Sequence, residues 1–269
     1  MRSFSFVRRA PLVAAFALLA LSSCSKGEEP ASTPESRVAS GTPSQPSGPP
    51  PVFDKNFLEK EPAKYSQFRE EVIIRYYFRD RRGGFFLDVG AAEPDQETTT
   101  HYLAKELGWK GIAIDARAEL APQYAKHRPN TKFFAYFVSD RSDAEETLYH
   151  GANVSSANKD SVKSFVKDPN WEPIPVKVTT ITLNDLLARE KVEKIDFLSM
   201  DIETYEPQAL AGFDIDRYRP DLVCIEAAPQ TQSRILEYFA KHGYRRIDAY
   251  LKHDWVNWYF EPVAAAKAR

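Results

Sequence analysis

The sequence predicts an α/β protein built on a single doubly wound, mostly parallel sheet of seven strands. From Phe85 onward, short apolar runs alternate with amphipathic segments of helical length. Strands separated by helices of this length pair in parallel, with helices covering both faces of the sheet. The last two apolar runs lie close together, so we expect the last strand to be antiparallel.

The elements follow one another in a regular order. Helical segments over residues 56–84, ended by Gly83-Gly84, precede the first strand. The seven predicted strands are "FFLDV" (85–89), "GIAID" (111–115), "KFFAYFV" (132–138), "IDFLSM" (195–200), "DLVCIEA" (221–227), "YRRIDAY" (244–250) and "WVNWYF" (255–260). The amphipathic segments are residues 98–108, 118–127, 183–191, 206–213 and 232–243. An extra hairpin is expected from "TLYH" (147–150) and "PVKVTTI" (175–181).

The N-terminus has the pattern of an export signal. Basic residues precede a short apolar stretch over residues 10–21, which ends in Leu21-Ser22-Ser23-Cys24. This ending resembles the lipobox of bacterial lipoproteins, in which cleavage occurs before the cysteine and the cysteine carries the lipid. We therefore expect a signal peptide over 1–23 and a membrane anchor on Cys24 in the bacterial cell envelope. An uncleaved anchor or a misassigned start codon is the alternative, and an unused signal would leave the protein in the cytoplasm.

Composition separates a linker from the folded domain. Residues 25–52 hold seven of the nineteen prolines and almost no large apolar side chains, so residues 24–52 are predicted to be a disordered linker. Residues 53–269 are predicted to form one domain. The net charge of −2 gives no sign of a nucleic-acid partner, and nothing indicates a protein partner. Cys224 lies in an apolar run and is predicted to be a buried, unreactive side chain.

Acidic residues follow four of the predicted strands. Asp88 and Gly90 close the first strand, Asp115 closes the second, Asp140 follows the third and Asp201 closes the fourth. Ligands of such sheets bind beyond the carboxyl ends of the strands. A rim of carboxylates is a poor site for a pyrophosphate, which is itself negatively charged. The segment "GAAEPD" also lacks the further glycines of a dinucleotide turn and the Lys-Ser/Thr pair of a P-loop.

An acidic rim suits S-adenosylmethionine, which carries a sulfonium, an ammonium and a ribose diol. Asp115 is the candidate for the ribose hydroxyls, and Gly90 lets the backbone approach the ligand. Asp88 is the candidate for the charged amino-acid end, and Asp140 for the adenine edge. The alternative for each acid is that it caps a helix or shapes a turn.

At these motifs the chain resembles the FkbM family of S-adenosylmethionine-dependent methyltransferases. The resemblance rests on "FLDVGAAEP", "TTTHYLAKELGWKGIAIDA", "KFFAYFVSDR", "TTITLNDLLAREKVEKIDFLSMDIETYEPQALAGFD" and "DLVCIEA". It implies a Rossmann-like class I methyltransferase fold and, usually, O-methylation. The implied cofactor-binding residues are Asp88, Gly90, Ala91, Asp115, Ala116, Ser139 and Asp140.

The chain departs from the family pattern at two positions. Ala92 stands where many members have asparagine, and Thr204 stands where many have a turn glycine.

For catalysis, Asp201 and Glu203 are the predicted residues that position the acceptor and help remove its proton. They could also ligate Mg²⁺, but two carboxylates two residues apart are weak evidence, so no metal site is predicted. Alternatively, Glu203 and Glu206 cap the following helix. The expected acceptor is a hydroxyl of a small molecule, sugar or lipid. The rival function is a non-catalytic lipoprotein that binds a glycan or other ligand.

Overall fold

The structure is a computed structural model that describes residues 52–54, 56–151, 155–164, 166, 168 and 170–263. The predicted signal peptide, Cys24 and nearly all of the predicted linker lie outside these residues. Within the described ranges, no helix combines the length and the apolar character that a membrane crossing requires.

Seven strands form the main sheet, as the sequence predicts. The chain order of all strands is β1 (Phe85–Val89), β2 (Lys110–Asp115), β3 (Thr131–Ala135), β4 (Phe137–Val138), β5 (Glu145–His150), β6 (Ser155–Ser156), β7 (Ile174–Ile181), β8 (Phe197–Met200), β9 (Leu222–Glu226), β10 (Tyr244–Arg246) and β11 (Asn257–Pro262). The main sheet has the order β10-β11-β9-β8-β1-β2-β3. Strand β11 is antiparallel to both of its neighbours, and the remaining pairs are parallel. The α/β fold class with an antiparallel last strand is therefore confirmed.

Nine α-helices surround these strands within the described residues. They are α1 (Phe57–Lys60), α2 (Glu70–Phe78), α3 (His101–Lys105), α4 (Ala121–His127), α5 (Lys159–Ser164), α6 (Leu183–Arg189), α7 (Glu206–Ala211), α8 (Ile215–Tyr218) and α9 (Gln232–Lys241). Two short 3-10 turns cover Ala118–Leu120 and Asp248–Tyr250. Each of the five predicted amphipathic segments contains one of these helices, namely α3, α4, α6, α7 or α9, and each helix is shorter than its segment.

The side chains of the central strands alternate between two cores. Leu87 and Leu198 join the core beneath α6, α7 and α9, whereas Phe86 and Phe197 join the core beneath α1, α2 and α3. Successive side chains of a strand point to opposite faces. Asp88 lies two residues after Phe86 and therefore points to the same face of the sheet, which α2 and α3 cover (the α2–α3 layer). The same alternation directs Asp201, at the end of β8, and Glu226, in β9, towards that layer.

The structure corrects two of the predicted strands. The sixth, over 244–250, is a strand only at Tyr244–Arg246 and continues into the 3-10 turn Asp248–Tyr250. The third predicted strand is divided between two sheets. Instead of one strand over 132–138, the chain leaves the main sheet at Tyr136, whose N–H donates to the Asp115 carbonyl at 3.1 Å. Residues 137–138 then pair with β7 in a second sheet of order β4-β7-β5-β6. Strand β3 is an edge strand, so the chain can depart there and bury Phe137 and Val138. The predicted hairpin of β5 and β7 is present in this second sheet.

The site lies where the strand order reverses. Strand β1 pairs with β2 on one side and with β8 on the other, and chain order runs outward in both directions from this point. Loops that leave β1 and β8 at their carboxyl ends diverge and create a crevice between them.

Candidate functional site

The turn after β1 requires glycine at position 90. Gly90 has φ +79°, a backbone conformation that side chains with a Cβ disfavour. A Cβ on Gly90 would lie 1.8 Å from the carbonyl oxygen of Asp201. The backbone at the end of β1 therefore touches the backbone at the end of β8, and the two loops form one site.

The loop that follows Gly90 is tied to the ends of β2 and α4. Ala91 is buried, its N–H donates to the Ile114 carbonyl at 3.0 Å, and its carbonyl accepts from the Tyr124 hydroxyl at 3.0 Å. Ala92 has φ +47°, in the left-handed region that asparagine tolerates better than alanine. Its N–H donates to Asp115 Oδ2 at 3.0 Å. The loop thus keeps its link to Asp115 although the asparagine of the family pattern is missing.

Asp88 is buried inside the α2–α3 layer and does not line the open crevice. Its carboxylate accepts from the Thr100 hydroxyl at 2.5 Å, and that hydroxyl accepts from buried Arg128 Nη2 at 2.8 Å. Burial raises the pKa of Asp88, while the positive charge of Arg128 opposes that rise. Asp88 therefore supports the turn from beneath, with its charge balanced by an arginine.

Asp115 lies at the carboxyl end of β2 and is fully hydrogen-bonded. Oδ1 accepts from the Arg117 N–H at 2.9 Å and from its Nε at 3.1 Å, while Oδ2 accepts from Arg117 Nη2 at 3.2 Å. Together with the Ala92 N–H this makes four hydrogen bonds. A ligand diol that binds Asp115 must displace the Arg117 side chain, whereas the backbone contacts can stay. Ala116 is half-buried between these two residues.

Ser139 and Asp140 follow β4, so they lie beyond the end of a strand of the second sheet and not at the end of β3. Ser139 is buried, and its hydroxyl donates to Asp140 Oδ1 at 3.2 Å. Asp140 is exposed. A Cβ on Gly212, the residue after α7, would lie 2.5 Å from the Ser139 carbonyl oxygen. The structure thus packs these two residues against the end of α7.

The loop after β8 is conformationally strained. Glu203 has φ +55° and Thr204 has φ +77°, so two consecutive residues with side chains occupy the left-handed region. Thr204 stands where many family members have glycine, and a β-branched residue is especially unfavourable there. Ser156 of β6 donates its hydroxyl to the Glu203 carbonyl at 3.1 Å, which fixes the loop to the second sheet.

Four acidic side chains converge at this loop: Asp201, Glu203, Glu206 and Glu226. One carboxylate oxygen each of Asp201, Glu206 and Glu226 lies within 4.8 Å of the other two. Glu206 Oε1 accepts from the N–H groups of Ile202 at 3.1 Å and Thr204 at 3.2 Å. Glu206 therefore does hold backbone N–H groups, as the capping alternative requires, but those groups precede α7.

Burial, and then the negative charges of neighbouring acids, raises the pKa values of all four acids. Asp201 is exposed, yet the surrounding protein removes much of its hydration, and this, with the charges of Glu226 and Glu70, raises its pKa well above 3.8. Burial, followed by the charge of Asp201, raises the pKa of Glu203 to about 7. Burial is also the main cause that raises the pKa of Glu206 to about 7 and of Glu226 to about 8.

Glu226, Glu206 and Arg117 are the site residues that were absent from the predicted set. Glu226 follows the apolar run "LVCI" as Asp88, Asp115 and Asp201 follow theirs, so the same strand-end rule would have found it. The involvement of Glu206 depends on how the loop folds back. The Arg117 side chain depends on a rotamer that no sequence pattern specifies.

A groove of about 550 Å³ adjoins the acidic loop. It is lined by Tyr149, Ala157–Asp160, Thr204, Tyr205 and Gln208. Residues 157–160 form one wall of this groove, and residues 152–154 lie outside the described residues. A second groove, between α7 and α9, lies away from the strand ends.

Residues 88–246 match the methyltransferase FkbM domain family. A search of curated protein sequences finds no match. Among solved structures, the chain is similar to a TehB-like S-adenosylmethionine-dependent methyltransferase from Corynebacterium glutamicum, with 14% identity, a TM-score of 0.37 and coverage of 71% of this chain and 79% of the other. It is also similar to a methyltransferase from Geobacter sulfurreducens in complex with S-adenosylhomocysteine, with 11% identity, a TM-score of 0.38 and coverage of 74% and 76%. The fold assignment rests on the strand order given above.

Proposed function

The chain belongs to the FkbM methyltransferase family, and from this premise we propose that it transfers a methyl group from S-adenosylmethionine to a hydroxyl oxygen. The acceptor is proposed to be a small molecule, a sugar or a lipid. The observation that carries the proposal is the contact between Gly90 and Asp201, which joins the turn expected to hold the cofactor to the loop that bears the acids.

The residues at the ends of β1 and β2 are suited to this cofactor. Asp115 presents a carboxylate where a ribose diol can bind, once the Arg117 side chain leaves it. At Gly90 the position that a Cβ would take is filled by the Asp201 carbonyl, so this glycine holds the turn after β1 against the end of β8. The carboxylate of Asp115 favours a ligand with free hydroxyls.

The bound cofactor would supply an activated methyl group on a sulfonium, a good leaving group. Transfer would join the methyl carbon to the acceptor oxygen and leave the carbon–sulfur electron pair on the departing sulfur. The hydroxyl proton passes to a carboxylate, for which Asp201 and Glu203 are the proposed acceptors because both leave β8 beside the Gly90 turn. The groove next to Thr204 is the proposed place of the acceptor.

Transfer of a labelled methyl group from S-adenosylmethionine to hydroxyl acceptors tests the proposal. Asp201→Asn keeps the side-chain size and removes the base, so we expect single-turnover transfer to fall about 100-fold or more. Cofactor affinity should stay within about threefold, because Asp115 and Gly90 are unchanged. Unchanged transfer in Asp201→Asn would refute the catalytic assignment.

We also propose the localisation given by the N-terminal sequence: cleavage of residues 1–23, lipid on Cys24 and residues 24–52 as a tether for the domain. S-adenosylmethionine is made in the cytoplasm, so an enzyme with this anchor must act before export or leave its signal unused. Cell fractionation, with the mass of the N-terminal peptide, tests this part.

One observation favours the non-catalytic lipoprotein as a second candidate. The guanidinium of Arg117 occupies the carboxylate of Asp115 that the ribose diol needs. A protein that keeps this pair permanently would use the fold to bind a glycan or other ligand instead.

A further inference from the structure

The acids at the ends of β8 and β9 lack the cationic partners that balance the other site acids. Asp115 has Arg117, and Asp88 is connected to Arg128 through Thr100. Within the part of the chain that the structure describes, no lysine, arginine or histidine nitrogen forms an ion pair with Asp201, Glu203, Glu206 or Glu226. Several carboxylates this close need a proton or a cation to offset their repulsion.

Two oxygens in this group are buried without a hydrogen-bond partner. The Glu206 side chain is fully buried; its Oε1 is held by two backbone N–H groups, and its Oε2 has no partner. Glu226 Oε2 is also buried and without a partner. Leaving such an atom without a partner is unfavourable, and more so when it is charged. These two oxygens are therefore available to an added ligand.

The spacing of the oxygens suits a single ion. Hard divalent cations hold oxygens at about 2.0–2.6 Å, so two oxygens on one ion lie at most about 4–5 Å apart. One oxygen each of Asp201, Glu206 and Glu226 lies within 4.8 Å of the others. An all-oxygen set favours Mg²⁺, Mn²⁺ or Ca²⁺ over softer metals.

We propose that Asp201, Glu206 and Glu226 bind one hard divalent cation, Mg²⁺ or Mn²⁺, at the carboxyl ends of β8 and β9. Metal binding itself does not depend on the proposed methyl transfer. Its use does rest on that function: an ion at this position would lower the pKa of an acceptor hydroxyl.

Titration of the full chain with Mn²⁺ at about pH 7.5 tests the proposal without cofactor or acceptor. Binding is measured as the loss of the electron paramagnetic resonance signal of the free ion. We expect one equivalent bound with a Kd below about 1 mM, and displacement by excess Mg²⁺. Glu226→Gln should weaken binding about tenfold or more, since it removes a charged ligand of unchanged size. The matched control is Glu145→Gln, an exposed acid on β5, which should stay within about twofold.

If Glu226→Gln does not fold, as judged by circular dichroism, Asp201→Asn takes its place with the same expectation. The proposal is overturned by negligible binding to the wild-type chain at about 5 mM Mn²⁺. It is overturned equally by unchanged affinity in the folded variant, because the ion would then bind elsewhere. Cofactor binding is measured separately, so failure of one result does not imply failure of the other.

Discussion

The Cβ that Gly90 lacks would lie 1.8 Å from the carbonyl oxygen of Asp201. This distance is far below any van der Waals contact, so a larger residue at position 90 must separate the ends of β1 and β8. The same glycine has φ +79°. One residue thus meets two requirements, a left-handed turn and a close backbone approach, and through it the two halves of the site are held together.

Gly90→Ala is therefore expected to lower the free energy of unfolding by about 3 kcal/mol or more. The added methyl group would overlap the Asp201 carbonyl, and alanine also disfavours the positive φ. Gly83→Ala is the matched control, because Gly83 has φ +68° but open space where its Cβ would lie. It should cost about 1 kcal/mol. Urea denaturation of both variants measures the difference, and equal losses would show that the contact with Asp201 is unimportant.

Arg117→Gln is expected to tighten the binding of S-adenosylmethionine several-fold. The substitution removes the guanidinium that occupies Asp115 and a positive charge that repels the cationic cofactor. Isothermal titration calorimetry measures the effect. Arg189→Gln on α6 makes the same charge change beside Asp143 and should leave the affinity unchanged. Weaker binding in Arg117→Gln would mean that the arginine helps to hold the cofactor.

Glu70 makes the stability of the fold dependent on pH. Burial, and then the charge of Asp254, raises the pKa of Glu70 from 4.5 to about 7. Because the folded chain holds this proton more tightly than the unfolded chain, its stabilising effect is complete below pH 4.5 and is lost as the pH rises to about 7. The shift in the pKa of Glu70 corresponds to about 3 kcal/mol in the free energy of unfolding.

Glu70→Gln stays neutral, so its advantage over the wild-type chain should grow between about pH 4.5 and 7 and then stay constant. Its amide can still accept the Phe68 N–H bond that Glu70 Oε2 accepts at 2.8 Å. Urea denaturation at several pH values gives the difference. Glu145→Gln, the exposed control on β5, should show no comparable trend, and a flat difference for Glu70→Gln would contradict the account.

Thr204→Gly is expected to raise the free energy of unfolding by about 1 kcal/mol. Thr204 has φ +77°, and glycine relieves the strain of a β-branched residue in that conformation. Its N–H bond to Glu206 Oε1 does not involve the side chain and is retained. Lys191→Gly, at φ +55° with an unbranched side chain, should gain less. Thermal unfolding ranks the two, and a loss of stability in Thr204→Gly would mean that its side chain is needed in the loop.

Apolar periodicity was sufficient to predict the main sheet, because each buried strand is a continuous run between polar turns. It was insufficient at Tyr136, where an edge strand leaves one sheet for another without any polar interruption in the sequence. The strand-end rule located Asp88, Asp115 and Asp201 at the strand ends. It did not reveal that Asp88 is enclosed by Thr100 and Arg128, since that depends on which side chains from other elements reach it.

Thr204 and Ala92, the two departures from the family pattern, both have positive φ. The sequence shows that glycine is absent at position 204 and asparagine at position 92. Only the backbone shows that both turns keep a left-handed conformation with residues that are less suited to it.

Titration of the full chain with S-adenosylmethionine by calorimetry tests the central claim most directly. We predict micromolar binding that Asp115→Asn weakens about tenfold or more and that Asp143→Asn, an exposed acid after β4, leaves unchanged. No binding at about millimolar ligand, or equal affinity in Asp115→Asn, would contradict the account and favour the ligand-binding lipoprotein.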